Sequence, residues 1–197
     1  MNYREVMSRE INALRPLCDF LVVSMHWGEE YEHHYNTSQK NLAAFLAEHS
    51  VDLVIGHHPH VIQPVEYMLR PDGRFMLCFY SLGNLISAQD RPQTMLGALA
   101  YVKIEKKYSI AAEDDSESIN ANILFTDAGA IPVVTHVERG WTNFEVVPLH
   151  EYAETFIGKH RMNDHEKRLG MNYLTGLASD IFKHREIKRN PFDTSEN

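Results

Sequence analysis

The sequence predicts an α/β fold built on a parallel or mixed sheet, and three observations carry that prediction. Residues 20–25, 51–55 and 75–80 are apolar runs, rich in branched and aromatic side chains and bounded by polar residues, as strands of a buried sheet are. Between the first two, Leu42, Phe45, Leu46 and His49 recur at spacings of three and four, the period of a helix over about residues 38–49. Each run also ends in polar residues suited to metal or phosphate chemistry. The first leads into His26-Trp27-Gly28-Glu29-Glu30-Tyr31, the second into Gly56-His57-His58-Pro59-His60, and the third into Ser81-Leu82-Gly83-Asn84.

Composition narrows the class. A chain of 197 residues is long enough to bury a proper core, and 44% hydrophobic with 23% charged residues is globular composition. A net charge of -8, with no basic face ahead of the C-terminal tail, excludes a general nucleic-acid binder, which needs cations to displace counterions. The two cysteines, Cys18 and Cys78, cannot form a disulfide framework, and both sit beside apolar runs, where buried thiols are expected. The opening residues 1–5 lack the apolar core of a signal peptide, and no stretch approaches the roughly 20 apolar residues of a membrane span. The expectation is a soluble chain without an export address of its own.

In chain order, Tyr3, Val6, Met7, Ile11 and Leu14 give an amphipathic helix that Pro16 ends. The run to Met25 is continuous enough for a strand covered on both faces. Asn36-Thr37-Ser38 caps the next helix, and residues 52–55 form the following strand, so strand, helix and strand read as a β-α-β crossover. Arg70-Pro71-Asp72-Gly73-Arg74 is turn chemistry, so residues 75–80 are expected to pair back on the segment before them as a hairpin. Residues 85–95 read as a proline-containing loop; residues 96–104, 122–137 and 142–147 read as further strands, the last ended by Pro148. The acidic stretch 113–118 lacks the spaced ligands of a calcium loop and reads as a solvated hairpin tip. After residue 149 the pattern turns helical, with Tyr152, Phe156 and Ile157 docking one helix and Leu174, Leu177, Ile181 and Phe182 another. Basic residues 183–189 read as a solvated helix end and residues 191–197 as a frayed terminus.

Ligands of open α/β sheets bind beyond the carboxyl ends of the strands, so His26 and the histidine cluster are expected to meet on one rim. Neutral imidazole is a good ligand for zinc, iron or manganese. In an extended segment His58 and His60 face one side, and His57 points the other way, into the fold or toward a phosphate. Glu29 and Glu30 could supply an acid, a base or a substrate anchor, or be a solvated pair; spacing alone leaves both open. His33 and His34 read as loop residues near the rim and His49 as a helix-end residue, while His136, His150, His160, His165 and His184 share no ligand spacing.

Taken together, His26-Trp27-Gly28-Glu29-Glu30-Tyr31, Gly56-His57-His58-Pro59-His60-Val61-Ile62-Gln63 and Tyr80-Ser81-Leu82-Gly83-Asn84-Leu85-Ile86 resemble the CapA family of bacterial capsule-synthesis proteins. That family is associated with poly-γ-glutamate capsules and is similar to the calcineurin-like metallophosphoesterases. The resemblance covers about residues 1–150 and leaves residues 151–197 as a helical C-terminal extension. It implies a metallo-dependent phosphatase-like sandwich of mixed β-sheets with outer helices. It also implies one or two divalent transition-metal ions (Mn, Fe or Zn) at the strand ends.

Residue by residue, the resemblance makes His26, His58 and His60 metal ligands. His57 occupies the variable position of the histidine signature and is expected beside the substrate. Glu30 becomes the catalytic candidate, and Tyr31 and Asn84 substrate neighbours. The family's Gly-Asp and Asn-Asn-His motifs do not occur here, so the expectation is a C-terminal half that carries the second half of a hydrolase site. The implied partners are an anionic polymer or phosphoester and other capsule-synthesis proteins, at the cell envelope or extracellular face. An assembly or polymer-binding protein on the same fold, breaking no bond, is the alternative.

Overall fold

A computed structural model describes residues 3–113, 116–163 and 169–182. His165, His184, the basic stretch 183–189, the terminal residues 191–197 and Asp114-Asp115 of the acidic stretch lie outside the described residues.

Helix α1 (Tyr3–Leu14) runs into a 3-10 turn at Arg15–Leu17, where Pro16 ends the α-helical ladder. Its apolar stripe is only partly used. Ile11 is buried and Met7 packs beside it, but Tyr3 and Leu14 are exposed. Strand β1 (Val22–His26), helix α2 (Thr37–Glu48) and strand β2 (Leu53–His57) form the expected crossover, with β1 and β2 parallel. The cap of α2 is the Asn36 amide rather than a hydroxyl: its side chain accepts from the Gln39 N–H while the Gln39 side chain accepts from the Asn36 N–H. Strands β3 (Val65–Leu69) and β4 (Phe75–Phe79) form the predicted hairpin, and β4 also runs parallel to β2, giving the order β1-β2-β4-β3.

Alternation along β2 and β4 builds two cores. Leu53, Leu77 and Phe79 face one side and pack with Leu96, Ala98, Ala130 and Val134 of a second sheet. Val54, Met76 and Cys78 face the other and pack with Leu42, Ala43 and Leu46 of α2. One strand corrects the sequence. β1 is not covered on both faces: it is the sheet's edge, its residues alternate between exposed and half-buried, and Val22 is exposed. A continuous apolar run therefore marked an edge strand with one face on the α2 core. Cys18 is likewise half-buried, whereas Cys78 is fully buried as expected.

The second sheet is antiparallel, in the order β5 (Leu96–Glu113), β6 (Ser116–Glu138), β7 (Thr142–Pro148). β5 and β6 run well past the predicted strands as one long hairpin, paired from Leu96↔Val134 out to Glu113↔Ser116. A 3-10 turn at Pro92–Met95 leads into β5. Helices α3 (Glu154–Lys159) and α4 (Met171–Ile181) add Ile157, Leu174 and Ala178 to the inter-sheet core. Among the described residues no helix is long and apolar enough to cross a membrane. The expected α/β architecture with mixed and antiparallel sheets is present.

Candidate functional site

The rim is made where β1 and β2 end side by side. Parallel pairing puts His26 opposite His57, the last residues of the two strands. Trp27 then crosses the end of β2: its backbone N–H donates to His57 O (3.1 Å) and its indole Nε1–H to Tyr80 O (2.8 Å). Gly56 makes that crossing possible. A Cβ there would stand 2.0 Å from Tyr80 O and 2.6 Å from Trp27 Nε1, so no larger residue fits without moving backbone. The Trp of the first motif and the Gly of the second are thus two halves of one contact.

Past β2 the chain does not stay extended. His58 (φ 101°) and His60 (φ 61°) both adopt left-handed backbone, a conformation costly for residues with a Cβ. The expectation that a two-residue spacing on extended chain aligns these side chains is therefore corrected. A bend brings them to the rim, with ring centroids 6.2 Å apart. The His26 and His58 rings meet more closely, at 4.6 Å. Burial, and after it the charge of neighbouring His26, pushes the His57 imidazole below its ordinary pKa, which keeps it neutral.

Hydrogen bonds settle the form of His60. Asn84 Nδ2 donates to Thr94 O (3.2 Å), so its Oδ1 is the atom 3.0 Å from His60 Nδ1 and must accept. His60 therefore carries its proton on Nδ1 and leaves the Nε2 lone pair open, 3.9 Å from Glu30 Oε1. That is the tautomer a metal or a proton donor needs, oriented by a neighbour in the way second-layer partners orient metal-binding histidines. Asn84 is held in turn by close backbone packing. A Cβ on Gly97 would lie 2.0 Å from Asn84 O.

Tyr31 stands beside His60, ring centroids 6.2 Å apart and 28° between planes. Its N–H donates to Pro59 O (2.7 Å) and its hydroxyl to Gln89 Oε1 (3.0 Å). The Arg91 guanidinium lies 3.7 Å over the Tyr31 ring and brings a cation to the rim. Glu29, by contrast, accepts from Asn36 Nδ2 (3.3 Å) and braces the start of α2. Behind the rim, buried Gln39 donates to Gln63, whose own amide donates to the carbonyls of Glu32 and His34. His33 Nδ1 is bonded to Ile62 O (2.9 Å), and His34 lies in the exposed part of the same loop.

The structure thus brings His26, His57, His58, His60, Glu30, Tyr31 and Asn84 to one rim. Imidazole donors suit a borderline divalent metal. Among the described residues, however, no group of three or more His, Cys, Asp or Glu stands close enough to hold an ion, so the rim fits part of a coordination sphere and not a closed one. Sequence reasoning missed Gln89 and Arg91, which lie in a stretch read as a loop. The one signal there was Arg91-Pro92 at the head of a helical turn.

It also missed a second histidine meeting. His136 and His160, 24 residues apart in sequence, pack 5.3 Å apart in the inter-sheet region and are both buried. His160 Nδ1 accepts from the Met162 N–H (3.0 Å), so its Nε2–H donates to Thr135 O (3.0 Å). Burial pushes this imidazole down to about 4. With both nitrogens engaged, this histidine is structural.

Among the comparisons with known proteins, the family match falls on the rim half of the chain. Residues 2–89 match the family model described as bacterial capsule synthesis protein PGA_cap. The chain is 33% identical over 102 residues to the PGA biosynthesis protein CapA of Bacillus subtilis (strain 168), a match covering 52% of this chain and 26% of that protein. It is 37% identical over 81 residues to the capsule biosynthesis protein CapA of Bacillus anthracis, covering 41% of this chain and 18% of that protein. The matches span about a quarter or less of the length of these relatives.

Proposed function

We propose a function for a chain that belongs, through residues 2–89, to the bacterial capsule synthesis protein family PGA_cap. Its histidine rim is the second half of a metallophosphoesterase-like hydrolase site on a calcineurin-like fold. The site serves the synthesis or export of an anionic capsular polymer such as poly-γ-glutamate, at the cell envelope. The observation that carries this reading is the convergence of the two histidine motifs, with the His26 and His58 rings 4.6 Å apart at the ends of parallel strands.

His26, His58 and His60 would contribute ligands to a divalent zinc, manganese or iron ion, which would supply Lewis-acid charge to a substrate oxygen, although by themselves they do not close its coordination sphere. Asn84 keeps His60 in the tautomer with Nε2 open. Glu30, on the open side of His60, exchanges a proton or anchors the substrate. Arg91 on the Tyr31 ring pairs with a phosphate or carboxylate group. Neutral His57 offers an uncharged donor beside them.

Metal content of the folded, chelator-free chain, measured by mass spectrometry, tests this first. One or two ions per chain, lost in His58→Ala, support the reading, and none ends it. Phosphoester hydrolysis with added manganese, lost in the same variant, is the second expected result.

A non-catalytic reading has its own support, because no three-ligand group stands among the described residues. On that reading the rim holds an anionic polymer, or joins an assembly, and breaks no bond. Saturable binding of an oligo-glutamate without turnover at any metal concentration decides for it. Metal-dependent turnover decides against it.

A further inference from the structure

Arg161 lies 72 residues beyond the end of the matched family stretch, yet its side chain reaches the rim loop. The backbone that carries it is clamped to β6. The Arg161 N–H donates to Val137 O (2.8 Å), and the preceding His160 is buried with both ring nitrogens bonded. From there the guanidinium donates through Nη2 to Gln89 O, approaches Asp90 Oδ1 through Nη1 (3.3 Å) and lies 3.9 Å over the Trp141 ring. Its side chain is only 11% exposed, and its Nε is buried without a hydrogen-bond partner among the described residues. Burying a guanidinium with an unmet donor is costly, so the outer contacts must hold it firmly.

Those contacts continue to the rim. Gln89, whose carbonyl Arg161 holds, accepts the Tyr31 hydroxyl on its side chain (3.0 Å). Tyr31 has left-handed backbone (φ 69°), which a residue with a Cβ keeps only when its surroundings fix it. Its ring in turn touches both the rim's imidazole and its cation, next to His60 and under Arg91.

We propose that Arg161 is a positioning residue for the histidine rim: it fixes the loop at residues 89–91 and through Gln89 holds Tyr31 against His60 and beneath Arg91. The C-terminal segment then sets the shape of a site whose recognisable motifs all lie ahead of it. The word site rests on the reading above, but the coupling itself does not.

The test is NMR of the full chain at fixed pH, following the Tyr31 and His60 ring signals alongside thermal unfolding. In Arg161→Ala both ring signals shift, and in Arg161→Lys, which can still donate to Gln89 O, they return toward their original positions. If Arg161→Ala lowers the melting temperature and leaves both ring signals in place, Arg161 is merely structural and the proposal fails. Should Arg161→Ala not fold, Gln89→Ala keeps the question open to measurement. It removes the acceptor of the Tyr31 hydroxyl and leaves the carbonyl that Arg161 binds, so displaced Tyr31 and His60 signals support the proposal and unmoved ones overturn it. Zinc titration of the same samples separates the two ideas. Ring displacement in a chain that takes up no zinc sinks the metal reading and keeps the coupling.

Discussion

At the rim, His60 donates through Nδ1 to Asn84 and leaves Nε2 facing Glu30, with about a third of its side chain exposed (32%). Behind β6, His160 bonds Thr135 and Met162 with its two nitrogens and is wholly buried. The same side chain is a potential ligand in one place and a neutral spacer in the other. What separates them is the number of nitrogens left open and whether water reaches the ring. A strand end with a bend leaves one nitrogen free. A clamp between strand and helix leaves none. Backbone geometry divides them as well: His60 occupies a left-handed conformation, whereas His160 (φ -61°) does not.

The sharpest way to break the rim half of this comparison is Gly56→Ala. Its methyl would need to occupy space 2.0 Å from Tyr80 O, against backbone rather than a movable side chain. The expected loss is about 4 kcal/mol or more in denaturant unfolding, or failure to fold. Gly176→Ala on the exposed face of α4 is the control. Nothing lies within 4 Å of its added carbon, so it should gain up to about 1 kcal/mol. Equal effects at the two positions would mean that the Trp27 crossing does not depend on Gly56.

The core half is tested by pH. The His160 imidazole is lowered from 6.5 to about 4 by burial, and burial also lowers that of His136, which faces Glu138, Glu145, Lys159, Tyr152 and His160. The folded state therefore binds a proton on His160 less readily than the unfolded state. Its contribution is complete above about pH 6.5 and is lost as pH falls toward 4, roughly 3 kcal/mol at most. The geometry agrees, because a second proton would have to go on Nδ1, where the Met162 N–H already points. His160→Gln, which keeps a donor for Thr135 O, is expected to flatten the stability profile between pH 6.5 and 4. An unchanged profile would place the acid sensitivity elsewhere.

Much of this was legible in the sequence, for local reasons. The helix at α2, the β1-α2-β2 crossover and the β3-β4 hairpin follow from periodicity and turn residues, and the rim follows from motifs placed at strand ends. What escaped is what depends on distant partners. β1 reads as covered on both faces because its run is apolar, but coverage depends on what packs over each face: Val23 and Met25 lie on the α2 core while the alternate positions, Val22 among them, stay exposed. His58 and His60 read as aligned by alternation, yet a bend does the work. His136 and His160 share no spacing and meet only because β6 and α3 pack together. Arg91 and Arg161 sit in stretches with no periodic signal, and only the fold shows that one lies on Tyr31 and the other reaches Gln89.

The smallest expected effect on stability is the one that separates the two histidines most directly. Asn84→Ala removes the acceptor that holds the His60 proton on Nδ1 and leaves Thr94 O without its donor, a loss of about 1 kcal/mol. Tyr152→Phe removes the hydroxyl 2.8 Å from His136 Nδ1 and should cost about the same. The two variants part in zinc titration. If His60 is a ligand, as proposed for the rim, removing its orienting partner weakens binding by about 10–100-fold, so Asn84→Ala is then expected to lose affinity on that scale while Tyr152→Phe keeps it. Equal zinc affinity in both variants would show that Asn84 does not set the tautomer of His60, and that the open Nε2 is not what distinguishes the rim. A loss confined to Asn84→Ala assigns the difference to one amide: Asn84, fixed from behind by Thr94, keeps the rim imidazole ready for a ligand.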